Sequence, residues 1–318
     1  MTDPDQDIEI AGSRVSPGAT KQLRIDIARL PTGTIIDVPI HVIRGKESGP
    51  TLLMQGGLHG DEVGGIEVLR RMLQDKLIKP LAGTVIVIPI LNVFGFIHFS
   101  RDVPDGKDIN RSFPGTQRGS LASRVAWTFM NELFPLIDYG LDFHTGGRQR
   151  HNYPQVRYAP EDKGALELAQ AFAAPFILPS KLIPKSFRKE ANKRGVPVVV
   201  YEAGESLRFD EFAISQGIAG SLRVMEHLGM TKKNKAVPER DAVLLSTSRW
   251  VRANRAGLFH VAVENGAQVS KGQILGTLSD AFGGHRTTLR APWDGWVLCV
   301  NNHPVANRGD ALFRVGRS

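Results

Sequence analysis

Along the first part of the chain, hydrophobic and polar positions alternate, and then continuous apolar runs take over. Leu23-Arg24-Ile25-Asp26-Ile27 and the run from Ile35 to Ile43 alternate around the turn Pro31-Thr32-Gly33-Thr34, which predicts an edge hairpin with one solvated face. Residues 1–20 lack that pattern and read as a polar leader on the surface. Apolar runs from Thr51 to Met54 and from Gly83 to Pro89 enclose an amphipathic stretch, Ile66 to Leu77, giving strand, helix, strand. Strands that are apolar throughout are buried on both faces. The pattern therefore predicts an α/β fold, with a mixed, largely parallel sheet covered by helices. Further helices are expected over Leu121 to Phe134, Leu166 to Phe172 and Phe209 to Leu228, and further strands over Leu136 to His144 and Val196 to Tyr201. Asn92 to Gly119 stays irregular, and so long an unstructured stretch inside a compact domain is usually functional.

The texture changes after the polar segment Lys232 to Asp241, which contains Pro238 and reads as a linker. Short alternating runs punctuated by Gly and Asn follow, as in a small all-β, barrel-like module. The expected organisation is a larger α/β domain over residues 1–235 and a β-rich domain over 236–318. Two phrases, Gly266 to Gly276 and Ala291 to Val297, resemble those of lipoyl- and biotinyl-type barrels. Between them stands His285-Arg286-Thr287 rather than a lysine turn for a carried group, so a lid or assembly role fits better than a carrier role.

Composition narrows the partners. The 318 residues suffice for one large domain or two ordinary ones. A content of 42% hydrophobic and 23% charged residues is that of a globular protein, not a disordered one. The net charge of +8 comes from 40 Lys+Arg against 32 Asp+Glu, mostly scattered singly or in pairs. The densest basic runs, Lys185 to Arg194 and Lys232 to Lys235, read as solvated faces or linkers. With no nucleic-acid-binding motif, a nucleic-acid partner is not expected, and the positive balance suits steering of an anionic small molecule. Cys299 is the single cysteine, so no intrachain disulfide forms. Neither a signal-peptide core nor an apolar run of ~20 residues is present, and a cytoplasmic protein without a membrane partner is expected.

The stretch that organises the chain is Gln55 to Gly65, with His59 and Glu62 inside a glycine-rich turn between strand and helix. Two intervening residues bring an imidazole and a carboxylate to one point. Both ligand types suit a zinc ion, and a catalytic zinc needs three protein ligands and one open position. Later strand exits deliver His144, two residues after Asp142, and Glu202. In open α/β sheets ligands bind beyond the carboxyl ends of the strands, so these side chains can converge there.

Taken in order, Gly-Gly-x-His-Gly-x-Glu (Gly56 to Glu62), Asp-x-Asn-Arg (Asp108 to Arg111), Asp-Phe-His-Thr-Gly-Gly (Asp142 to Gly147) and a strand ending in Glu202 resemble the succinylglutamate desuccinylase/aspartoacylase family. Its members are deacylase relatives of the zinc carboxypeptidases. The resemblance implies a zinc-carboxypeptidase-like catalytic domain in which His59, Glu62 and His144 hold one Zn²⁺ per chain. It further implies Glu202 as general base, Arg101 as the cation stabilising the oxyanion, and Asn110 and Arg111 as grips for a substrate carboxylate. Asp108 would stand behind His59 and fix its tautomer. Glu205, beyond the glycine of Tyr201-Glu202-Ala203-Gly204-Glu205, is a rival base. The segment from Arg101 to Asp108 is longer than in aspartoacylases. The cation- and amide-rich tract from Arg148 to Arg157 could read the acyl group or a second carboxylate. The leading expectation is a zinc-dependent amidohydrolase that deacylates a small N-acylated carboxylate. The other readings are a metallocarboxypeptidase for short peptides and a vestigial, assembly-mediating protein. A homo-oligomer is compatible with either class.

Overall fold

A computed structural model describes residues 7–29, 32–233 and 241–318. Residues 1–6, the Pro31 of the expected turn, and Pro238 with the expected boundary at 235/236 lie outside the described residues.

The expectation of a surface leader is corrected. β1 (Ile8–Ile10) and β2 (Ser13–Val15) pair as an antiparallel hairpin, and Ile10 and Val15 are buried in the main core. Ala11 and Gly12 at its tip both take positive φ, the geometry that tight two-residue hairpins need. The alternating runs become β3 (Thr20–Arg29) and β4 (Ile35–Arg44), an antiparallel pair with β3 on the sheet edge. In β4 every second side chain, Val38, Ile40 and Val42, is buried.

The apolar runs become β5 (Glu47–Gln55) and β6 (Ala82–Ile88), parallel to each other and joined through α1 (Val63–Gln74). The irregular stretch holds the short α2 (Val93–Ile97) and a 3-10 turn at Ile109–Arg111, and α3 (Leu121–Glu132) follows. β7 (Tyr139–Gly146) lies parallel to β5, and β8 (Arg150–Tyr158) runs on from it. Then come α4 (Lys163–Phe172), β9 (Phe176–Pro179), α5 (Phe187–Lys193), β10 (Val198–Glu205) and α6 (Glu211–His227). β10 is parallel to β7 and antiparallel to β8. Adjacent residues of the buried strands enter opposite cores. Leu53, Ile86 and Ile88 pack with α3 and α5, while Leu52, Met54, Val85 and Val87 pack with α1, α4 and α6. That two-sided burial is what the unbroken apolar runs predict. Among the described residues no helix is long and apolar enough to cross a membrane.

The C-terminal region begins with β11 (Val243–Leu244), β12 (Thr247–Arg252), β13 (Gly257–Val261) and β14 (Gln268–Val269). It continues with β15 (Ile274–Ser279), β16 (Thr287–Arg290), β17 (Gly295–Asn301), β18 (Val305–Ala306) and β19 (Ala311–Arg317). β16, β15, β13 and β18 form an antiparallel sheet of their own. β17, β19 and β12 instead extend the main sheet beyond β8, giving the order β12-β19-β17-β8-β10-β7-β5-β6-β4-β3. Residues paired directly across antiparallel strands project to the same face. The pairings Trp250↔Arg314, Arg314↔Cys299 and Cys299↔Asn152 thus form one lateral row, running from the C-terminal strands towards β10.

Candidate active site

The carboxyl ends of β5, β7 and β10 supply the polar side chains. After β5 the chain turns at Gly57, with φ +56°, and passes His59 before α1 begins. At Gly60 no side chain fits, since a Cβ there would lie 1.8 Å from the Gly95 carbonyl carbon. Glu62 stands at the N-cap of α1 yet makes no capping bond. Its side chain turns inward: Oε1 lies 2.8 Å from His59 Nδ1 and Oε2 lies 2.8 Å from His144 Nδ1. The Thr145 backbone N–H donates to Oε2 at 3.0 Å. The two Nδ1 atoms are 3.2 Å apart, all three residues are buried, and their ligating atoms lie within 4.8 Å of one another.

The far side of each imidazole is held by a carboxylate. His59 Nε2 is 3.3 Å from Asp108 Oδ1, and His144 Nε2 is 3.0 Å from Asp142 Oδ2. Gln55 Nε2 donates to the other Asp142 oxygen at 3.2 Å. In its neutral form an imidazole that donates from Nε2 carries its lone pair on Nδ1, so each ring, once neutral, would offer Nδ1 to an ion held beside Glu62. Two imidazole nitrogens and a carboxylate converging on one buried point are the donor set of a zinc site, and the residues fit that ion. Burial pushes the Glu62 carboxyl up, but His59 and His144 outweigh it and hold Glu62 well below the ordinary range. Burial lowers both imidazoles, and the adjoining carboxylates (Glu62 with Asp108 for His59, Asp142 with Glu62 for His144) reverse that and raise them.

Arg101 lies against this cluster. Nη1 is 3.1 Å from Glu62 Oε1 and 3.2 Å from His59 Nδ1, while Nε and Nη2 donate to Asp108 Oδ2 at 3.1 and 2.9 Å. Asp108 also caps the 3-10 turn, its Oδ1 accepting from Asn110 N at 2.7 Å. Asn110 Oδ1 accepts from the Phe187 backbone at 2.9 Å, tying this turn to α5. The Arg111 guanidinium is exposed, with Nη1 donating to the Asn110 carbonyl at 2.6 Å. Glu202 is the register partner of His144 on the neighbouring parallel strand. It makes no hydrogen bond to the His–Glu cluster. Arg157 Nη1 donates to its Oε1 and Asn152 Nδ2 to its Oε2, each at 2.8 Å. The rival Glu205 accepts from Asn302 Nδ2 at 2.8 Å and does not line the cavity.

A cavity of about 640 Å³ opens over the cluster and is also lined by Arg101, Asn110, Arg111 and Glu202. Among the lining residues that the sequence reading did not single out are Arg188, Trp250 and Arg314. Arg188 belongs to the basic run read as a solvated face, and that reading is corrected. α5 buries Phe187, Arg188, Glu190 and Ala191. Arg188 donates to the Ser180 and Lys181 carbonyls, but its Nη1 is buried without a partner among the described residues. Burial, with Arg157 nearby, pushes the Arg188 guanidinium down to about 10. The apolar positions Phe187 and Ala191 at helical spacing were the signal that one face of this run turns inward.

Residues 48–228 match the family model described as the succinylglutamate desuccinylase/aspartoacylase catalytic domain. The chain is 31% identical over 296 residues to N-alpha-acetyl-L-2,4-diaminobutyric acid deacetylase from Halomonas elongata, covering 86% of this chain and 84% of that one. Among solved structures, the product-bound ectoine utilization protein EutE from Ruegeria pomeroyi aligns with a TM-score of 0.84 at 24% identity, over 100% of both chains. A succinylglutamate desuccinylase/aspartoacylase from Rhodobacter sphaeroides aligns at 0.81 with 26% identity, over 94% of this chain and 95% of that one. The family match runs from β5 through α6 and takes in the His–Glu turn, the strand ending at His144 and the strand bearing Glu202; the chain belongs to the succinylglutamate desuccinylase/aspartoacylase family.

Proposed function

We propose that the protein is a zinc-dependent hydrolase that cleaves the amide bond of a small N-acylated amino acid or related carboxylate, releasing acid and amine. The observation that carries this reading is the buried His59–Glu62–His144 cluster, with both Nδ1 atoms turned inward and both Nε2 atoms held by carboxylates. Family membership and the Halomonas deacetylase, whose name specifies an N-acetyl amino acid, support deacylation. His59, Glu62 and His144 would hold one zinc ion. When bound, zinc supplies Lewis acidity, which acidifies a water and polarises a carbonyl.

The rest of the chemistry falls to the chain. Glu202 takes a proton from the attacking water and returns it to the leaving nitrogen. Arg157 and Asn152 hold its two oxygens, each of which keeps a lone pair for that transfer. Arg101, anchored by Asp108, presents its cationic edge to the oxyanion of the tetrahedral intermediate. Arg111 grips the substrate carboxylate from the cavity rim, with Asn110 fixing the turn that carries it. Asp108 and Asp142 set the tautomers of the two histidines.

The test is the metal content of the purified protein beside a His144→Ala variant, followed by an amine-release screen over N-acyl amino acids. About one zinc per chain, lost in the variant, and amine released only by the wild type are the expected results. A protein that neither contains zinc nor takes it up would refute the mechanism.

A further inference from the structure

Two exposed apolar segments flank the turn that carries His59 and Glu62. Phe96 and Ile97 end α2 and Phe99 follows it; Ile97 is 62% and Phe99 70% exposed. Leu207 and Phe209 lie between β10 and α6, and Phe212 in the first turn of α6; Phe209 is 63% exposed. Both segments rest on the turn through backbone contacts. A Cβ at Gly60 would lie 2.1 Å from Phe96 N, and the Leu207 N–H donates to the Asp61 carbonyl at 2.8 Å. The six side chains therefore share one face, beside the cavity rim at Asp61, Arg101 and Asp102.

Runs of exposed apolar residues are avoided in globular proteins unless they meet a partner. Here the display is held at a backbone cost. Phe99 and Leu207 take φ of +53° and +58°, a left-handed conformation that is strained for bulky residues and easy for glycine or asparagine. The exposed parts of the six side chains amount to on the order of 600 Å², against about 800 Å² that each partner gives to a standard stable interface. That area suffices for the apolar core of a dimer contact. The charges around it are of both signs, with Arg208 and Glu211 on one segment and Asp102 beyond the other. The two carboxylates repel anionic lipid headgroups, whereas mixed signs suit contact with an identical surface.

We propose that this face is a two-fold contact between two copies of the chain, with residues 96–99 of one copy against residues 207–212 of the other. A two-fold contact uses the same surface on both partners, so that surface must complement itself. The crossed arrangement meets the condition. Apolar side chains meet apolar side chains, and Arg208 of each copy approaches Asp102 of the other. Each copy then covers the other's His–Glu turn and walls one side of its cavity mouth. The contact is independent of the deacylase reading.

The test is sedimentation velocity of the full chain from about 1 to 100 µM, with folding of each variant checked by circular dichroism. The wild type is expected to dimerise with a Kd at or below about 10 µM. Phe209→Asp places a charge inside the contact and should weaken it by at least about 100-fold. Phe99→Asn removes the ring but suits the left-handed backbone. It should weaken the dimer by at least about tenfold while raising the Tm of the dilute monomer. Arg208→Asp and Asp102→Arg should each weaken the dimer, and the double exchange should return it to within about threefold of the wild type. A wild type that stays monomeric at about 100 µM overturns the proposal. If that monomer sediments with phosphatidylglycerol vesicles, the face belongs to lipid instead. A dimer that survives both Phe209→Asp and Phe99→Asn uses another surface and also overturns it. Charge variants that leave the dimer unchanged, or a double exchange that recovers nothing, overturn the crossed arrangement.

Discussion

Replacing Gly60 by alanine tests whether the His–Glu turn is held by close backbone packing. The added Cβ would lie 1.8 Å from the Gly95 carbonyl carbon, 2.1 Å from Phe96 N and 2.4 Å from the Gly95 oxygen. The first of these is roughly 1.6 Å inside ordinary carbon–carbon contact. All three atoms are backbone, so no rotamer change relieves the clash and one of the two segments must move. The Gly95 segment is itself tied down. Asn92 Oδ1 accepts from Gly95 N at 2.8 Å, and Asn92 Nδ2 donates to the Arg101 carbonyl at 3.1 Å. Any shift therefore spreads either to His59 and Glu62 or to Arg101. Overpacking of this kind costs about 3 kcal/mol, which for a chain of this size lowers Tm by on the order of 5 °C. Displaced ligands should weaken zinc binding by at least about tenfold. The assays are thermal unfolding of chelator-treated protein, which isolates packing from metal, and competition for zinc against a chelating dye. Wild-type Tm together with wild-type zinc affinity would refute the packing argument.

Two further predictions concern carboxylates in opposite settings. Glu202→Gln should lower kcat by at least about 100-fold while zinc content stays at the wild-type level, and substantial residual turnover would remove Glu202 as the base. Glu67 on α1 accepts from Arg70 Nε at 2.6 Å and Arg71 Nε at 2.7 Å, and these bonds lower its carboxyl to about 2. A lowered folded-state pKa stabilises above the unfolded-state value near 4.5 and is lost as pH falls towards about 2. With Arg70 half-exposed and solvent screening the pair, the contribution is about 1 kcal/mol at pH 7. Denaturant titration of the wild type against Glu67→Gln should show that gap at pH 7 and less than half of it at pH 3. A gap independent of pH would contradict the assignment.

How much of this site the sequence exposes depends on where each residue gets its position. His59, Glu62 and His144 are placed by local events, a strand end and the turn after it, so strand patterning and a short motif suffice to find them. Residues 8–15 carry too few apolar positions to signal a strand, and only the positive φ angles at Ala11 and Gly12 close the hairpin that buries Ile10 and Val15. Arg188 was hidden because charge density in its run outweighed the two apolar positions that set the helix face. Trp250 and Arg314 have no local signal at all. They reach the cavity because β17 pairs with β8 in one register, Cys299 opposite Asn152, and because β19 and β12 continue that row. Side chains alternate between faces along a strand, so a slip of one residue in the β17–β8 pairing would turn the whole row to the other face. The completeness of the cavity thus hangs on a pairing register between segments about 150 residues apart, which no motif spacing encodes. On the other edge of β17, glycine sets the spacing to β19: a Cβ at Gly295 would sit 1.9 Å from the Gly316 carbonyl oxygen, so β17 and β19 approach more closely than a larger residue there allows.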